Sequence, residues 1–312
     1  MDTDISIRPQ KALVGSALVA VYFIWGSTYL ALRFGLEGFP PFILNGARFL
    51  VAGGVMYTIL RLRGVAPPSP RQWWNATRMG SLLLVGGVGL MTIAEDLGVG
   101  SGIAATAAAV IPVWSALIGG FFGQWPVRRE MIGLAVGLAG VLVLAQEGDL
   151  RSSVTGLVLV VVAPLLWSFG SVWGARLDMP PGFMTPASQL LSAGVVMLIA
   201  GTLAGERVTE APTGGAWSAL LYLTVMGSIV AYTAYVFLLR SVRPAMATSY
   251  AYVNPVVAVV LGVTMGAEII SGPILVALPL ILIGVGLVAS APPRSSAEHS
   301  PVMSGAPAEE AA

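Results

Sequence analysis

Ten apolar runs of about 17 residues or more, joined by short polar links, leave this chain little choice of fold. They fall at 11–33, 40–62, 73–95, 98–122, 128–145, 153–174, 184–204, 214–239, 243–267 and 272–290. A bilayer core is crossed by about 20 helical residues, and backbone polar groups at that depth must be satisfied inside the segment. The expected fold is an all-α integral membrane protein with ten transmembrane helices. Charge supports this: only 10% of residues are charged, against ~25% in soluble domains. Asp2 and Asp4 precede the first run and no small-residue cleavage site follows it, so it reads as a retained helix rather than a signal peptide. Residues 1–10 read as a cytoplasmic N-terminus. Residues 291–312, rich in Ser, Ala, Pro and Glu, read as a disordered cytoplasmic tail.

Orientation follows from the basic residues of the short loops. Of the 16 Lys and Arg, only Arg33, Arg151 and Arg207 fall on the side opposite the N-terminus, and Arg48 lies within a helix. The remainder collect on the side of the N-terminus, which this bias makes cytoplasmic, together with the C-terminus. The expected location is a bacterial inner membrane, crossed many times.

The two halves of the chain also echo one another. Trp25-Gly26-Ser27-Thr28 and then Phe39-Pro40-Pro41 are matched by Trp167-Ser168-Phe169-Gly170-Ser171 and then Met179-Pro180-Pro181. Ile111-Pro112 precedes Gly137-Leu138-Ala139-Gly140, as Asn254-Pro255 precedes Gly284-Val285-Gly286. The predicted units are residues 11–145 and 153–290, joined by an outer linker at 146–152. Five helices is an odd number, so the second unit enters from the opposite side. A 5+5 inverted repeat is expected, with its site near the midplane.

These features, with Arg48-Phe49 and the run Ala247-Thr248-Ser249-Tyr250-Ala251-Tyr252-Val253-Asn254-Pro255, resemble the EamA branch of the drug/metabolite transporter superfamily. The similarity covers about residues 11–290. It implies a ten-helix basket whose central cavity is lined by helices 1, 3, 4, 6, 8 and 9. It also implies a secondary carrier that exports amino acids, aromatic ones and threonine among them, or other metabolites and drugs. Many members carry a glutamate after the fourth helix, where this chain has Gln124-Trp125; the second-half counterpart, Glu268, is present.

The residues themselves mark out a cavity. Thr248, Tyr252 and Pro255 fall at i, i+4 and i+7 of the ninth run, which places them on one helix face, and Pro255 frees the carbonyl of Ala251. Trp25 and Trp167 are repeat mates, each about 21 Å along its helix at ~1.5 Å per residue. They either fill the core or line a cavity whose ring faces would attract a cationic group. Trp73, Trp74, Trp125 and Trp217 sit at helix ends and read as interfacial belt residues. Asn45 and Arg48 are the strongly polar pair buried in the first half. A charge at that depth needs a partner or a water path, and Glu95 and Asp96 are the carboxylates in reach. Arg48 then either binds a substrate carboxylate or pins two helices together. The candidate substrate-binding set is Trp25, Thr28, Arg48, Trp167, Ser171, Tyr232, Thr248, Tyr252 and Asn254, with Pro112 and Pro255 as helix kinks or gates. Glu95 is the candidate coupling carboxylate. None of the 15 acidic residues falls in the middle of a predicted helix, so efflux driven by the substrate gradient, without proton exchange, is expected.

Enzyme chemistry finds no footing. The single histidine, His299, is in the tail, so no serine–histidine pair meets inside the membrane. Asp96 and Asp178 sit at helix ends rather than forming a carboxylate dyad. No cysteine is present to bind metal as thiolate. Gly98-Val99-Gly100-Ser101-Gly102 lacks the Lys-Ser/Thr ending of a phosphate loop and reads as a tight outer turn. The Gly133/Gly137 and Gly262/Gly266 spacings read as close helix packing. The expectation is a carrier without cofactor or metal, a monomer that meets a small molecule and the lipid bilayer but no nucleic acid. It exports amino acids by alternating access, or alternatively cationic drugs or other small metabolites. A periplasm-dependent reporter fused after Asp149 is expected to be active and one fused after Arg294 silent; activity at Arg294 would remove the inverted repeat.

Overall fold

Each apolar run is mostly helical where it is described, and no strand occurs among the described residues. The computed structural model describes residues 7–99, 101–144, 154–266 and 272–291. The linker 146–152, Glu268 and the tail beyond residue 291 lie outside them.

Six helices are long and apolar enough to cross a membrane, by length and composition. They are α1 (Ile7–Leu36, of which Lys11–Leu36 qualifies), α2 (Pro41–Leu62), α3 (Pro70–Asp96), α7 (Val154–Gly174), α8 (Met184–Leu203) and α9 (Gly214–Ser241). The other predicted spans are helical but shorter or broken. One divides into α4 (Ser101–Ala108) and α5 (Ile111–Phe121), and α6 (Arg128–Leu144) follows. Another divides into α10 (Pro244–Ala247) and α11 (Tyr250–Gly266), and α12 (Gly272–Ala289) ends the described chain. Large apolar side chains such as Phe23, Val51, Val161, Ile199 and Leu282 are more than half exposed. Outward-facing apolar side chains of this kind suit a lipid surface rather than water.

The breaks correct one expectation. Thr248 and Tyr252 do not share a continuous helix: the chain turns at Thr248 and Ser249. Thr248 Oγ1 donates to Pro244 O at 2.7 Å and Ser249 Oγ to Met246 O at 2.8 Å. Such local hydroxyl bonds compete with the helix ladder. Pro255 lies inside α11, downstream of that break. Pro112 is the second residue of α5, where a missing N–H costs nothing, so it starts a helix rather than kinking one.

Both α3 and α9 are π-wound in the middle, at Ser81–Gly89 and Leu223–Ala231. In α9, Ser228 Oγ reaches the carbonyl of Leu223, five residues back, at 3.0 Å. Such widened turns are frequent at functional sites.

Packing is set by glycine. Helix α2 lies along α8, α6 along α12, α1 against α9 and α11, and α7 against α3, α4 and α5. Backbone atoms fill the space where side chains would stand. A Cβ built on Gly53 would meet Leu191 N at 2.5 Å, and one on Gly194 would meet Leu50 N at 2.5 Å. Gly133 faces the carbonyl of Gly284, and Gly284 faces the backbone of Gly137 at 2.6 Å. The sequence reading of Gly133/Gly137 as a packing pair agrees with this geometry.

Gly284→Ala is therefore expected to lower the melting temperature of the detergent-solubilised protein, at about 1–3 kcal/mol for overpacking against backbone. Gly286→Ala, two residues on with open space around it, is expected to melt like the parent.

Candidate functional site

Trp25 is the hub of an aromatic cluster. Its ring lies 5.4 Å from Trp167, 5.1 Å from Tyr235 and 4.7 Å from Tyr250, mostly edge to face. Tyr235 also meets Trp167 at 5.3 Å and Tyr250 at 5.5 Å. Edge and tilted contacts of this sort add to the burial of each ring.

The polar edges of the rings are satisfied inside the protein. Trp25 Nε1 donates to the carbonyl of Gly227 at 3.2 Å, in the π-wound part of α9. Trp167 Nε1 donates to Tyr235 Oη at 2.9 Å, and the same phenol shares a 2.6 Å hydrogen bond with Ser171 Oγ. Tyr232 Oη donates to Gln189 Oε1 at 3.0 Å. Gly87, in the π-wound part of α3, gives way to the Trp167 ring: a Cβ there would come within 2.6 Å of it.

Against this cluster lies a cavity of about 110 Å³. That is several times the ~10–15 Å³ needed by one water. Trp25, Thr28, Tyr29, Arg48, Phe49, Trp167, Tyr232, Tyr250 and Asn254 line it, with aliphatic residues of α3, α5 and α7 between them. Arg48 is 5% exposed, its guanidinium stands 4.6 Å over the Phe49 ring, and its Nε has no partner. Neighbouring Asn45 donates to Pro41 O at 2.9 Å and to Thr92 Oγ1 at 3.0 Å.

A second cavity, of about 880 Å³, is bounded in part by Ser171. It is lined by Arg176, Asp178, Arg240, Arg243 and Glu130, at an arginine-rich end of the protein. Arg243 Nη1 and Glu130 Oε1 form an ion pair at 2.8 Å, and Glu130 Oε2 accepts from Val127 N at 2.9 Å. Hydrogen bonds through Tyr235 join Trp167, which lines the smaller space, to Ser171, which lines the larger.

The predicted residues thus divide. Trp25, Thr28, Arg48, Trp167, Tyr232 and Asn254 come together at the smaller cavity, whereas Ser171 and Thr248 face the larger one. Tyr252 turns away from both: its hydroxyl donates to Leu134 O at 3.0 Å and its ring packs on Gly137. Tyr29, Tyr235 and Tyr250 were not among the candidates. Their signal was present in Trp25/Tyr29 at i, i+4 and Tyr232/Tyr235 at i, i+3, which puts each pair on one helix face. Trp74, Trp125 and Trp217 are more than half exposed, in keeping with belt positions.

What this arrangement can do is hold a small molecule. It offers ring faces and a buried cation, and among the described residues no group of His, Cys, Asp and Glu is placed to bind a metal.

Comparison with known proteins gives the same picture. Residues 14–146 and 154–290 each match the EamA-like transporter family. The chain is 44% identical over 272 residues to the "Uncharacterized inner membrane transporter YedA" of Escherichia coli K12, covering 87% of this chain and 89% of that protein. It is 25% identical over 167 residues to the "Probable amino-acid metabolite efflux pump" of Salmonella typhimurium, covering 52% of this chain and 54% of that one. A protein of known crystal structure, 22% identical, superposes with a TM-score of 0.73 over 90% of this chain and 97% of its own; this likeness speaks to the fold alone.

Trp167→Ala is expected to reduce transport at least tenfold in protein that still inserts, while Trp74→Ala leaves transport unchanged. Tyr252→Phe, which removes only the bond to Leu134 O, is expected to transport like the parent and to lose about 1 kcal/mol of stability. Paired transport and melting measurements check all three.

Proposed function

The chain belongs to the EamA-like transporter family, and on that premise we propose that it is a secondary carrier exporting amino acids across a bacterial inner membrane. It is a transporter and not an enzyme; what it carries is the proposal. The range is broad and includes aromatic and neutral amino acids such as threonine and methionine.

One observation carries this reading. Arg48 is buried at an aromatic-lined cavity without a carboxylate partner among the described residues. A guanidinium at membrane depth costs at least ~2.5 kcal/mol on insertion scales. A substrate carboxylate held by the planar fork of an arginine meets that cost whenever the site is filled. The ring faces of Trp25, Trp167 and Tyr250 favour the second reading, an exporter of cationic drugs or other metabolites, because rings attract cations.

Alternating access rests on a 5+5 inverted repeat of ten spans with both termini cytoplasmic. The family match in two successive halves supports it. So does the packing: exchange the halves, and the pairing of α1 with α11 maps onto that of α7 with α5. The pairing of α1 with α9 likewise maps onto that of α7 with α3, while α2–α8 and α6–α12 map onto themselves. Two halves of opposite orientation give a carrier its two states without a separate motor. The larger cavity, at the arginine-rich end, is then the inward vestibule, closed from the site by Tyr235. Efflux runs down the substrate gradient, and the protein acts as a monomer.

Reconstituted liposomes test this. Saturable counterflow of a labelled neutral amino acid, competed by other neutral amino acids and not by lipophilic cations, is the expected result. Competition by the cations alone would favour the second reading, and flux that never saturates would mean a channel.

A further inference from the structure

Arg48 is not the only group at the cavity left without a partner. Glu95 follows Met91 by one turn of α3, and Met91 lines the cavity, so the carboxylate stands on the same face just outside it. Its Oε1 is buried and accepts no hydrogen bond. Tyr29, which lines the cavity from α1, is an electrostatic neighbour of Glu95 and, like Asn254, part of the same wall. Asn254 is 2% exposed, lines the cavity from α11, and its Oδ1 is likewise buried and unpaired.

An unpaired cationic donor on α2 and an unpaired acceptor on α11 thus line the cavity, with a second unpaired acceptor beside it on α3. Mutual pinning does not account for them, because no ion pair joins Arg48 to Glu95 among the described residues. A proton carried by Glu95 accounts for that carboxylate but leaves Asn254 Oδ1 and Arg48 Nε unexplained. A molecule bearing both an ammonium and a carboxylate satisfies all three. An ammonium has three donors and no acceptor, so it can bridge two acceptors, while the carboxylate suits the guanidinium.

We infer that Glu95 and Asn254 form an ammonium subsite and Arg48 a carboxylate subsite of the same cavity, so that the transported molecule is a zwitterionic α-amino acid. Its side chain lies among Trp25, Trp167, Tyr232 and Tyr250. This rests on the cavity being the substrate site, as proposed above. Selectivity follows from burial: a bare amine leaves Arg48 unpaired, a bare acid leaves Glu95 unpaired, and unpaired buried charge is costly.

The purified protein in nanodiscs is titrated calorimetrically with L-phenylalanine, phenethylamine and 3-phenylpropionate, which share one ring and differ in their charged groups. The parent is expected to bind phenylalanine at least tenfold more tightly than either analogue. Glu95→Gln and Asn254→Leu are each expected to weaken phenylalanine and phenethylamine at least tenfold and not to weaken phenylpropionate. Arg48→Gln is expected to do the reverse. Asn254→Asp, which adds charge at the subsite, is expected to tighten phenethylamine at least threefold, a gain that misfolding cannot imitate. Equal weakening of all three ligands by Glu95→Gln, or an Asn254→Asp protein that binds phenethylamine no better, would overturn the subsite. Phenylalanine binding unaltered in Glu95→Gln, with loss only of accumulation driven by a pH gradient, would overturn it too and make Glu95 the coupling group. If amino acids compete in counterflow but these variants bind like the parent, this inference fails alone. If the parent neither binds nor transports amino acids, the amino-acid reading fails with it.

Discussion

Two indole N–H groups have to be satisfied in a slab of the protein that holds little besides hydrocarbon, and much of the architecture follows from how this is done. Trp25 spends its donor on the carbonyl of Gly227 and Trp167 on the phenol of Tyr235. Each bond ties a helix of one half of the chain to α9, and the rings then stack on one another. An unpaired donor in that place would cost on the order of 1–3 kcal/mol. The positions of α1, α7 and α9 are thereby coupled, and the cavity is the space their rings do not fill.

Helical irregularity has a use in this setting. In a regular α-helix each mid-helix carbonyl already accepts from the backbone, so a side chain such as Tyr252 at Leu134 O shares its acceptor. The π-wound stretches of α3 and α9 bring Gly87 and Gly227 to the two tryptophans, one as space for a ring and the other as an acceptor. The turn at Thr248 and Ser249 serves the other cavity, where Thr248 lies on the wall and Ser249 shares a 2.7 Å hydrogen bond with Tyr22. Glycine-mediated contact between α2 and α8, and between α6 and α12, keeps the remaining helices close and regular.

Charge is divided between the two spaces by its solvation. At the larger cavity Arg243 Nη1 and Glu130 pair with each other while Arg243 Nη2 and Ser115 Oγ are buried without a partner, and exposed Arg176, Asp178 and Arg240 are reached by water. At the smaller one Arg48, Glu95 and Asn254 keep polar atoms that nothing in the described protein satisfies. Buried polar groups are ordinarily paired, and the exceptions on α2, α3 and α11 around the smaller cavity are what the proposed substrate would satisfy.

By itself the sequence determined the class of protein and most of its frame, because bilayer thickness and backbone hydrogen bonding admit so few solutions for runs of this length. It also picked out Trp25, Arg48, Trp167, Tyr232 and Asn254, since a polar or amphipathic side chain at mid-helix has few bland explanations. It could not separate Tyr252 from Tyr250: both lie in one run, and which of the two meets the cavity depends on a turn made by two hydroxyls upstream. Nor could it tell that Arg48 and Glu95 stand unpaired, for whether opposite charges meet depends on the distance between helices. That distance is set by glycines and ring contacts far apart in the chain, and only the packed tertiary structure decides it.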